Sequence, residues 1–306
     1  MEGKVSRRGF MKVSGTGLAA LGLGRSFQAL AANRSIELVV VEGGLLEAAS
    51  KALESLGGIS RFVKRGQKVL LKPNISFASD TTRGANTDPE LVAWVAQQCV
   101  EAGAKEVLVA DIALQTATLC LWRSGIKEAM SRVPGATLSY FSDDRFFQET
   151  SIPRGKSLKK SRVLKPLLES DVVINLPRAK THDATTVTLG LKNLMGLAID
   201  RKSFHSSHDL HQAIADLATL IRPALTLIDA SRVMVDNGPG GPGTLVPLNT
   251  VVAGTNPVEV DAVMVSLTAW AGKKYRPDQV RHLKAASELG LGRVDLSQIS
   301  FARLKV

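Results

Sequence analysis

Residues 171–182 read Asp-Val-Val-Ile-Asn-Leu-Pro-Arg-Ala-Lys-Thr-His, a short apolar run followed by polar side chains. The run Asp171–Asn175 has the length and the β-branched residues of a buried strand, and Leu176-Pro177 ends it. A strand that is apolar on both faces is typical of a parallel sheet covered by helices on each side. This stretch therefore indicates the fold class before any other part of the chain is considered.

Further apolar runs of the same kind alternate with helical patterns along the chain. The predicted strands are 36–41, 68–72, 106–110, 137–141, 225–228 and 251–253. The predicted helices are 45–56, 89–102, 118–132, 209–221, 256–270 and 277–289, with a further helical stretch beginning near Thr185. This alternation predicts an α/β fold, a mainly parallel or mixed sheet with helices on both faces.

The composition excludes several classes of protein. The chain has 306 residues, of which 44% are hydrophobic and 22% are charged, so a disordered, collagenous or coiled-coil protein is excluded. Aromatic residues make up only 5% of the chain, which argues against a nucleic-acid partner bound by base stacking. The two cysteines, Cys99 and Cys120, cannot supply the four thiolates of a usual iron–sulfur cluster.

Residues 1–31 have the three parts of an export signal. A basic start precedes a charge-free stretch over residues 13–24, and small residues stand at Ala29 and Ala31. The segment Ser6-Arg-Arg-Gly-Phe-Met-Lys12 resembles the twin-arginine (Tat) consensus. An amphipathic cytosolic helix with a chance arginine pair is the alternative. The sequence predicts a Tat signal over 1–31, cleavage after Ala31, and a single α/β domain over 32–306.

Export has consequences for location, partners and charge. We expect a periplasmic or otherwise exported protein that meets the Tat translocase during export and keeps no membrane span after cleavage. Residues 1–31 carry a net charge of +4, so the +11 of the whole chain falls to about +7 in the mature protein. A basic balance of this size suits acidic small molecules or partners.

Polar side chains follow the apolar strand runs repeatedly. They include Lys72 with Asn74, Asp111, Asn175 with Lys180 and His182, and Asp229. Ligands of open parallel sheets bind in the crevice outside the carboxyl ends of the strands. Together with Lys192, these residues predict a cleft that binds a small anion. The alternative for each residue alone is a helix cap or a turn former.

Four of the five histidines lie between residues 182 and 211. On one helix, His205, His208 and His211 would spread over about 120°, so at most two of them could bind one ion. His182 and His205, with a further ligand, would form a three-ligand site for a divalent metal. The alternative is that one histidine is functional and the others cap or line a helix start.

Two further segments have a structural and a functional interpretation. The run Asn237-Gly-Pro-Gly-Gly-Pro-Gly243 is a loop, either a lid over the cleft or a surface turn. The basic run 154–165 docks an acidic partner or, by the simpler interpretation, forms a solvated loop.

Ordered blocks of sequence over about residues 65–270 carry a resemblance to a known family. The blocks are Lys72-Pro-Asn74, Thr87-Asp-Pro-Glu90, Val109-Ala-Asp111, Asn175-Leu-Pro-x-x-Lys180-x-His182, Gly190-Leu-Lys-Asn-Leu-Met-Gly196, Asp229 before the Gly-Pro loop, and Gly254-Thr-Asn-Pro-Val-Glu-Val-Asp261. The chain resembles the family called domain of unknown function 362. The resemblance implies an architecture and a site but no reaction. Many members carry an attached iron–sulfur module, and this chain has no Cys-x2-Cys-x2-Cys pattern, so no iron–sulfur cluster is expected.

Two functions from different classes remain open. The first is an exported enzyme for a small anionic substrate, with or without a divalent metal. The second is a non-catalytic accessory or ligand-binding protein of an exported redox system. The candidate catalytic residues are Lys72, Asp111, Lys180, His182 and Asp229; the candidate cofactor- or ligand-binding residues are Asn74, Lys192 and Asn193; the candidate metal ligands are His182 and His205.

Overall fold

Ten β-strands build one mostly parallel sheet in the computed structural model, which describes residues 36–306. The predicted signal and its cleavage site after Ala31 lie outside the described residues. The strands are Leu38–Glu42 (β1), Lys68–Pro73 (β2), Glu106–Ala110 (β3), Ala136–Ser139 (β4), Phe147–Ser151 (β5), Lys160–Leu164 (β6), Val172–Leu176 (β7), Arg178–His182 (β8), Thr186–Thr188 (β9), Leu225–Met234 (β10), Leu245–Gly254 (β11) and Ala302–Lys305 (β12).

The main path of the sheet runs β12-β1-β11-β10-β7-β2-β3-β4, and β8 with β9 branches from β10. Of these ten strands, β11 and the short β9 run against the others. The remaining pair, β5 and β6, forms a separate antiparallel hairpin. The predicted fold class is confirmed.

Helices cover both faces of the sheet. They are Leu45–Ser55 (α1), Ile59–Phe62 (α2), Pro89–Glu101 (α3), Ala117–Arg123 (α4), Ile126–Ser131 (α5), Lys165–Glu169 (α6), Gly190–Asn193 (α7), Arg201–Ser206 (α8), Leu210–Leu220 (α9), Pro257–Ser266 (α10) and Arg281–Glu288 (α11). One hydrophobic core includes residues of α1, α3, α4 and α5, and a second core on the other face includes residues of α7, α9, α10 and α11. No helix within residues 36–306 is long and apolar enough to cross a membrane.

The helix starts follow from local chemistry. The Asp88 side chain accepts a hydrogen bond from the Glu90 backbone N–H at 3.0 Å, and Pro89 occupies the first turn of α3. Asn256 caps α10 in the same way, again with a proline directly after it. A capping side chain satisfies a backbone N–H that has no partner within the helix, which explains why these two starts were visible in the sequence.

Several predicted elements are wrong in extent or type. No helix begins near Thr185: residues 186–188 form β9, whose β-branched side chains suit pairing with β8, and the helix starts at Gly190. The predicted helix 118–132 is two helices, broken at Gly125, which has a φ of 75°. The predicted helix 277–289 is a 3-10 turn followed by α11.

Other segments differ from the prediction by being more regular. The strand at 251–253 is the end of the ten-residue β11, and the strand at 225–228 is the start of the equally long β10. Part of the basic run 154–165 is not a loop, because Lys160–Leu164 pairs with β5.

One irregularity of the sheet positions the site. Strand β7 pairs with β2 up to the partners Pro73 and Leu176, and Pro177 then interrupts the chain. Beyond it, β8 pairs with β10 and no longer with β2. A gap therefore opens between the carboxyl end of β2 and β8, in the crevice that parallel sheets use for ligands.

Candidate functional site

A pocket of about 600 Å³, partly open to solvent, occupies this gap. Six basic side chains line it: Lys180, His182, Lys192, Arg201, Lys202 and His205. No aspartate or glutamate is among its lining residues within the described chain. One continuous segment, residues 188–205, supplies eight of the fifteen lining residues. The residues of the predicted cleft that line this cavity are Asn74, Lys180, His182, Lys192, Asn193 and His205.

A buried ion pair lies behind the pocket wall. The Lys72 ammonium is 2.8 Å from Asp111 Oδ1, and both side chains are fully buried. Burial lowers the pKa of Lys72, while the Asp111 carboxylate opposes that shift. Asp111 Oδ2 also accepts the backbone N–H of Ile75 at 2.7 Å. The pair is charge-balanced, and neither residue lines the pocket, although both were predicted to act in it.

Three asparagines connect this pair to the pocket wall. Asn193 Nδ2 donates to the Lys72 carbonyl at 3.1 Å and to Asn175 Oδ1 at 2.9 Å. Asn193 Oδ1 accepts from Asn74 Nδ2 at 3.0 Å. Asn175 Nδ2 donates to the Gly190 carbonyl at 2.9 Å. This network fixes the orientation of each amide and holds α7 against the ends of β2 and β7.

Lys180 crosses the gap between β8 and β2. Its ammonium donates to Asn74 Oδ1 at 3.2 Å and to the Ala85 carbonyl, and it lies 4.7 Å from the centroid of the Phe77 ring. Burial lowers the pKa of Lys180 well below its usual value, because no carboxylate within the described residues forms an ion pair with it. This environment therefore favours the neutral amine form of Lys180.

Lys192 is the mostly buried base at the centre of the pocket. Its ammonium has no hydrogen bond or ion pair with any residue in the range 36–306. Burial, followed by the charge of Arg201, lowers the pKa of Lys192 to about 8. A group with a pKa near neutral exchanges protons readily at physiological pH.

His182 is neutral in this environment. Burial and the Lys192 charge lower its pKa to about 3. Its Nδ1 lies 3.1 Å from the backbone nitrogen of Ala184. Asp183 lies beside the same nitrogen, but its carboxylate is 79% exposed, so solvent screens its charge. His205 is exposed, and partial desolvation together with Lys192 lowers its pKa as well.

The hypothesis of a three-ligand metal site is not supported. Within residues 36–306 no group of three or more His, Cys, Asp or Glu side chains is arranged to hold a metal ion. His205 lies on α8 and His211 on α9, and the Nδ1 atom of His208 is 2.9 Å from the Ser157 carbonyl oxygen. Both predicted ligands, His182 and His205, also lie in the field of Lys192, which repels a cation.

Asp229 lies outside the pocket lining. Its carboxylate forms a buried ion pair with Arg178, accepts the Asp88 backbone N–H at 3.1 Å and accepts the Ser231 hydroxyl at 2.7 Å. These bonds join the start of α3 to β8 and β10. These contacts give Asp229 a structural role, whereas the sequence predicted a catalytic one.

Three pocket residues were missed by the sequence interpretation. Arg201 donates to the carbonyls of Ile112 and Ala113, and neighbouring Lys202 is exposed. The Thr188 hydroxyl is 4% exposed, lines the pocket and has no hydrogen-bond partner within the described residues. The only sequence signal was the pair of basic residues at 201–202, which follows the apolar run 194–199 after Asp200. A buried hydroxyl without a partner is unfavourable unless a ligand or water completes it.

Gly196 is required by the close approach of the pocket wall to the buried pair. A Cβ at this position would lie 2.0 Å from Asp111 Oδ1 and 2.8 Å from Lys72 Nζ. The Gly196 carbonyl accepts the Ile112 backbone N–H at 2.9 Å, which connects the wall to the loop after β3. Any side chain here would displace the wall, the pair or both.

The fold and the site together define an α/β protein with a mostly parallel sheet and a basic pocket at its carboxyl edge. The family model described as Domain of unknown function (DUF362) matches residues 69–266. The chain belongs to this family, and the matched range contains every basic residue that lines the pocket.

Known proteins that the chain is similar to in sequence or structure include the following two. A thylakoid-associated protein of Synechocystis sp. (strain ATCC 27184 / PCC 6803 / Kazusa) is 31% identical over 204 residues, which are 64% of this chain. The chain spans 62% of the length of that relative. The lactate racemase apoprotein from Thermoanaerobacterium thermosaccharolyticum superposes with a TM-score of 0.46 at 14% identity, over 76% of this chain and 58% of that one.

Proposed function

We propose that this protein binds a small dianion in the basic pocket and transfers a proton to or from it. The observation that carries the proposal is the lining itself, in which six basic side chains occur without a carboxylate. Ion pairing neutralises most buried charges in proteins, and the mostly buried Lys192 and Arg201 face a pocket without a carboxylate, which favours an anion from outside the chain. The predicted cleft at the strand ends supports the same conclusion.

Charge balance favours two acidic groups on the ligand. Lys192 and Lys202 have no ion-pair partner among residues 36–306. Arg201 donates hydrogen bonds to backbone carbonyls. Asp111, the carboxylate that interacts electrostatically with Arg201, already pairs with Lys72. A dianion compensates these charges better than a monoanion, and the unpartnered Thr188 hydroxyl offers it a hydrogen bond.

The proton chemistry belongs to Lys192 and His182. Lys192, with a pKa of about 8, can lose and regain a proton near neutral pH. His182 is neutral, so its ring offers one N–H donor and one acceptor nitrogen. A carboxylate or phosphate held by the neighbouring cations would place a C–H or O–H bond of the ligand among these two groups, which is the requirement for general acid–base catalysis.

Calorimetry with malonate and inorganic phosphate tests the binding half of the proposal. We expect at least one of the two anions to bind, and Lys192→Met to weaken that binding about tenfold or more, since it removes a charge-assisted contact. Lys127→Met is the matched control, because Lys127 is an exposed lysine outside the pocket. Failure of both anions to bind would reject the proposal.

Deuterium incorporation tests the catalytic half. The protein is incubated in D2O with a mixture of small dicarboxylates and phosphate esters, and proton NMR follows the loss of C–H signals. Loss of one signal with the wild type, but not with Lys192→Met, would support proton transfer. Binding without exchange would favour a non-catalytic ligand-binding protein.

We also propose that residues 1–31 direct export through the Tat pathway. The support is the arginine pair at positions 7 and 8, followed by an uncharged stretch and small residues at 29 and 31. Replacing both arginines by lysine keeps the charge and should abolish export of the folded protein. Lys4→Arg is the control that should leave export and cleavage after Ala31 unchanged, and mass spectrometry of the exported fraction identifies the new N-terminus.

A further inference from the structure

A second and wider cavity adjoins the basic pocket. It encloses about 1630 Å³, much of it open to solvent, and it shares Phe77 with the basic pocket. The loop 237–243 borders both cavities, with Pro239 at the basic pocket and Gly240 at the wider one. The two cavities are therefore neighbouring parts of one surface depression.

Phe77 forms a fixed wall between the two parts. The Lys180 ammonium lies 4.7 Å from the centroid of its ring. The backbone of Gly240 is so close to the ring that a Cβ there would lie 2.9 Å from Phe77 Cε1. The Asn86 side chain accepts the Phe77 N–H at 3.2 Å and donates to its carbonyl at 2.9 Å. An aromatic ring held on several sides offers a preorganised surface to a ligand.

Large apolar side chains are exposed beside this wall. Leu114 is 55% exposed and lines the basic pocket, and Trp122 is 69% exposed and lines the wider cavity. Single exposed apolar residues are ordinary, but a group of them at the rim of a cavity marks a binding surface.

The wider cavity has no net charge preference. Its charged lining residues are two acids and two bases: Asp80, Glu128, Arg83 and Arg123. The basic pocket beside it has bases only. The depression as a whole thus combines a basic end with an end of balanced charge whose lining includes the exposed Trp122 ring.

We propose that the ligand is an elongated molecule with two acidic groups at one end and an uncharged aromatic ring at the other. The acidic end lies among Lys192, Arg201 and Lys202. The ring extends past Phe77 and packs against Trp122. The inference rests on the proposed function, because it assigns the class of molecule that the same pocket binds.

The test compares malonate with benzylmalonate, which carries the same two carboxylates and adds one phenyl ring. Calorimetry at pH 7 should give about tenfold tighter binding for benzylmalonate, the gain expected for one aromatic contact with its buried area. Trp122→Ala should reduce the ratio of the two affinities to below about threefold, and Trp122→Phe should retain most of it. Tyr140→Ala is the matched control, since Tyr140 is 48% exposed and lines neither cavity.

The outcomes separate this inference from the proposed function. Equal affinities for the two compounds, or a ratio that Trp122→Ala leaves unchanged, would overturn the aromatic extension while leaving the anion site intact. Failure of both compounds and of inorganic phosphate to bind would overturn both proposals. Because Trp122 is exposed, its replacement leaves the core of the protein unaltered.

Discussion

Two groups of charged side chains lie at the carboxyl edge of the sheet, and they differ in whether an acidic residue pairs with them. The buried pairs Lys72–Asp111 and Arg178–Asp229 are neutralised inside the protein and form bonds to strand ends and loops. Lys192 and Lys202, which line the pocket in the same region, have no acidic partner among residues 36–306. The comparison distinguishes structural charges, which are paired, from charges left available to a ligand.

The largest expected effect follows from breaking a paired charge. Asp111→Ala leaves the Lys72 ammonium buried without its carboxylate, and we expect the free energy of unfolding to fall by about 3–5 kcal/mol. Urea denaturation followed by circular dichroism measures the change. Lys192→Met, which removes an unpaired charge, should leave stability equal or higher, and a loss comparable to that of Asp111→Ala would erase the distinction between the two groups.

A smaller loss is expected from crowding the same pair. Gly196→Ala places a methyl group within 2.0 Å of Asp111 Oδ1, so the wall or the pair must shift. Overpacking of this kind costs about 1–3 kcal/mol, and the displaced wall should also weaken anion binding. Thermal denaturation and calorimetry on one preparation report both effects. An unchanged melting temperature together with unchanged affinity would show that the close approach has no role.

The pH dependence of anion binding should show whether the unpaired Lys192 contacts the ligand. Lys192 is an ammonium below its pKa of about 8 and a neutral amine above it. Anion affinity should therefore be highest below pH 8 and fall by up to about tenfold per pH unit above it, as the cation is lost. His182, with a pKa of about 3, stays neutral throughout this range.

Lys192→Arg is the variant that sharpens this test. A guanidinium keeps its charge well above pH 8, so the decline attributed to Lys192 should disappear. Titration of malonate or phosphate by calorimetry between pH 6.5 and about 9.5 covers the transition. An equal decline in Lys192→Arg would assign the pH dependence to another group.

The smallest effect is expected at the rim of the pocket. Lys202 is exposed, so water screens its interaction with a bound anion. Lys202→Met should weaken binding by about two- to fivefold, the range of an exposed ion pair. A loss equal to that of Lys192→Met would mean that burial does not decide which lysine matters.

The sequence predicted those parts of the fold that depend on local chemistry. The continuous apolar runs of β3 and β7 and the Asp88-Pro89 start of α3 are all local signals, and all were located correctly to within a residue. Strand β8 was missed because its sequence, Arg-Ala-Lys-Thr-His, is polar and because β10, the strand that connects it to the main sheet, lies more than forty residues away. The helix near Thr185 was wrong because the residues that pair with β8 were assigned without that strand.

The sequence predicted which residues lie at this edge of the sheet better than it predicted which of them contact one another. Lys180, His182, Lys192, Asn74 and Asn193 were expected at a common edge, and they line one pocket. Long-range ion pairs account for the predicted residues that do not line the pocket. Lys72 pairs with Asp111 and Asp229 pairs with Arg178, and no local sequence pattern indicates contacts between residues so far apart in the chain. Arg201 was not predicted for the same reason, because only the folded structure brings it against the loop after β3.

The concentration of eight of the fifteen lining residues between positions 188 and 205 has a consequence for specificity. Strands β2 and β8 provide a stable frame, while this one segment of the chain provides most of the surface that a ligand would touch. Substitutions at the exposed positions of this segment, such as Lys202 and His205, should therefore change ligand binding in the basic pocket while leaving the strands of the sheet unaltered.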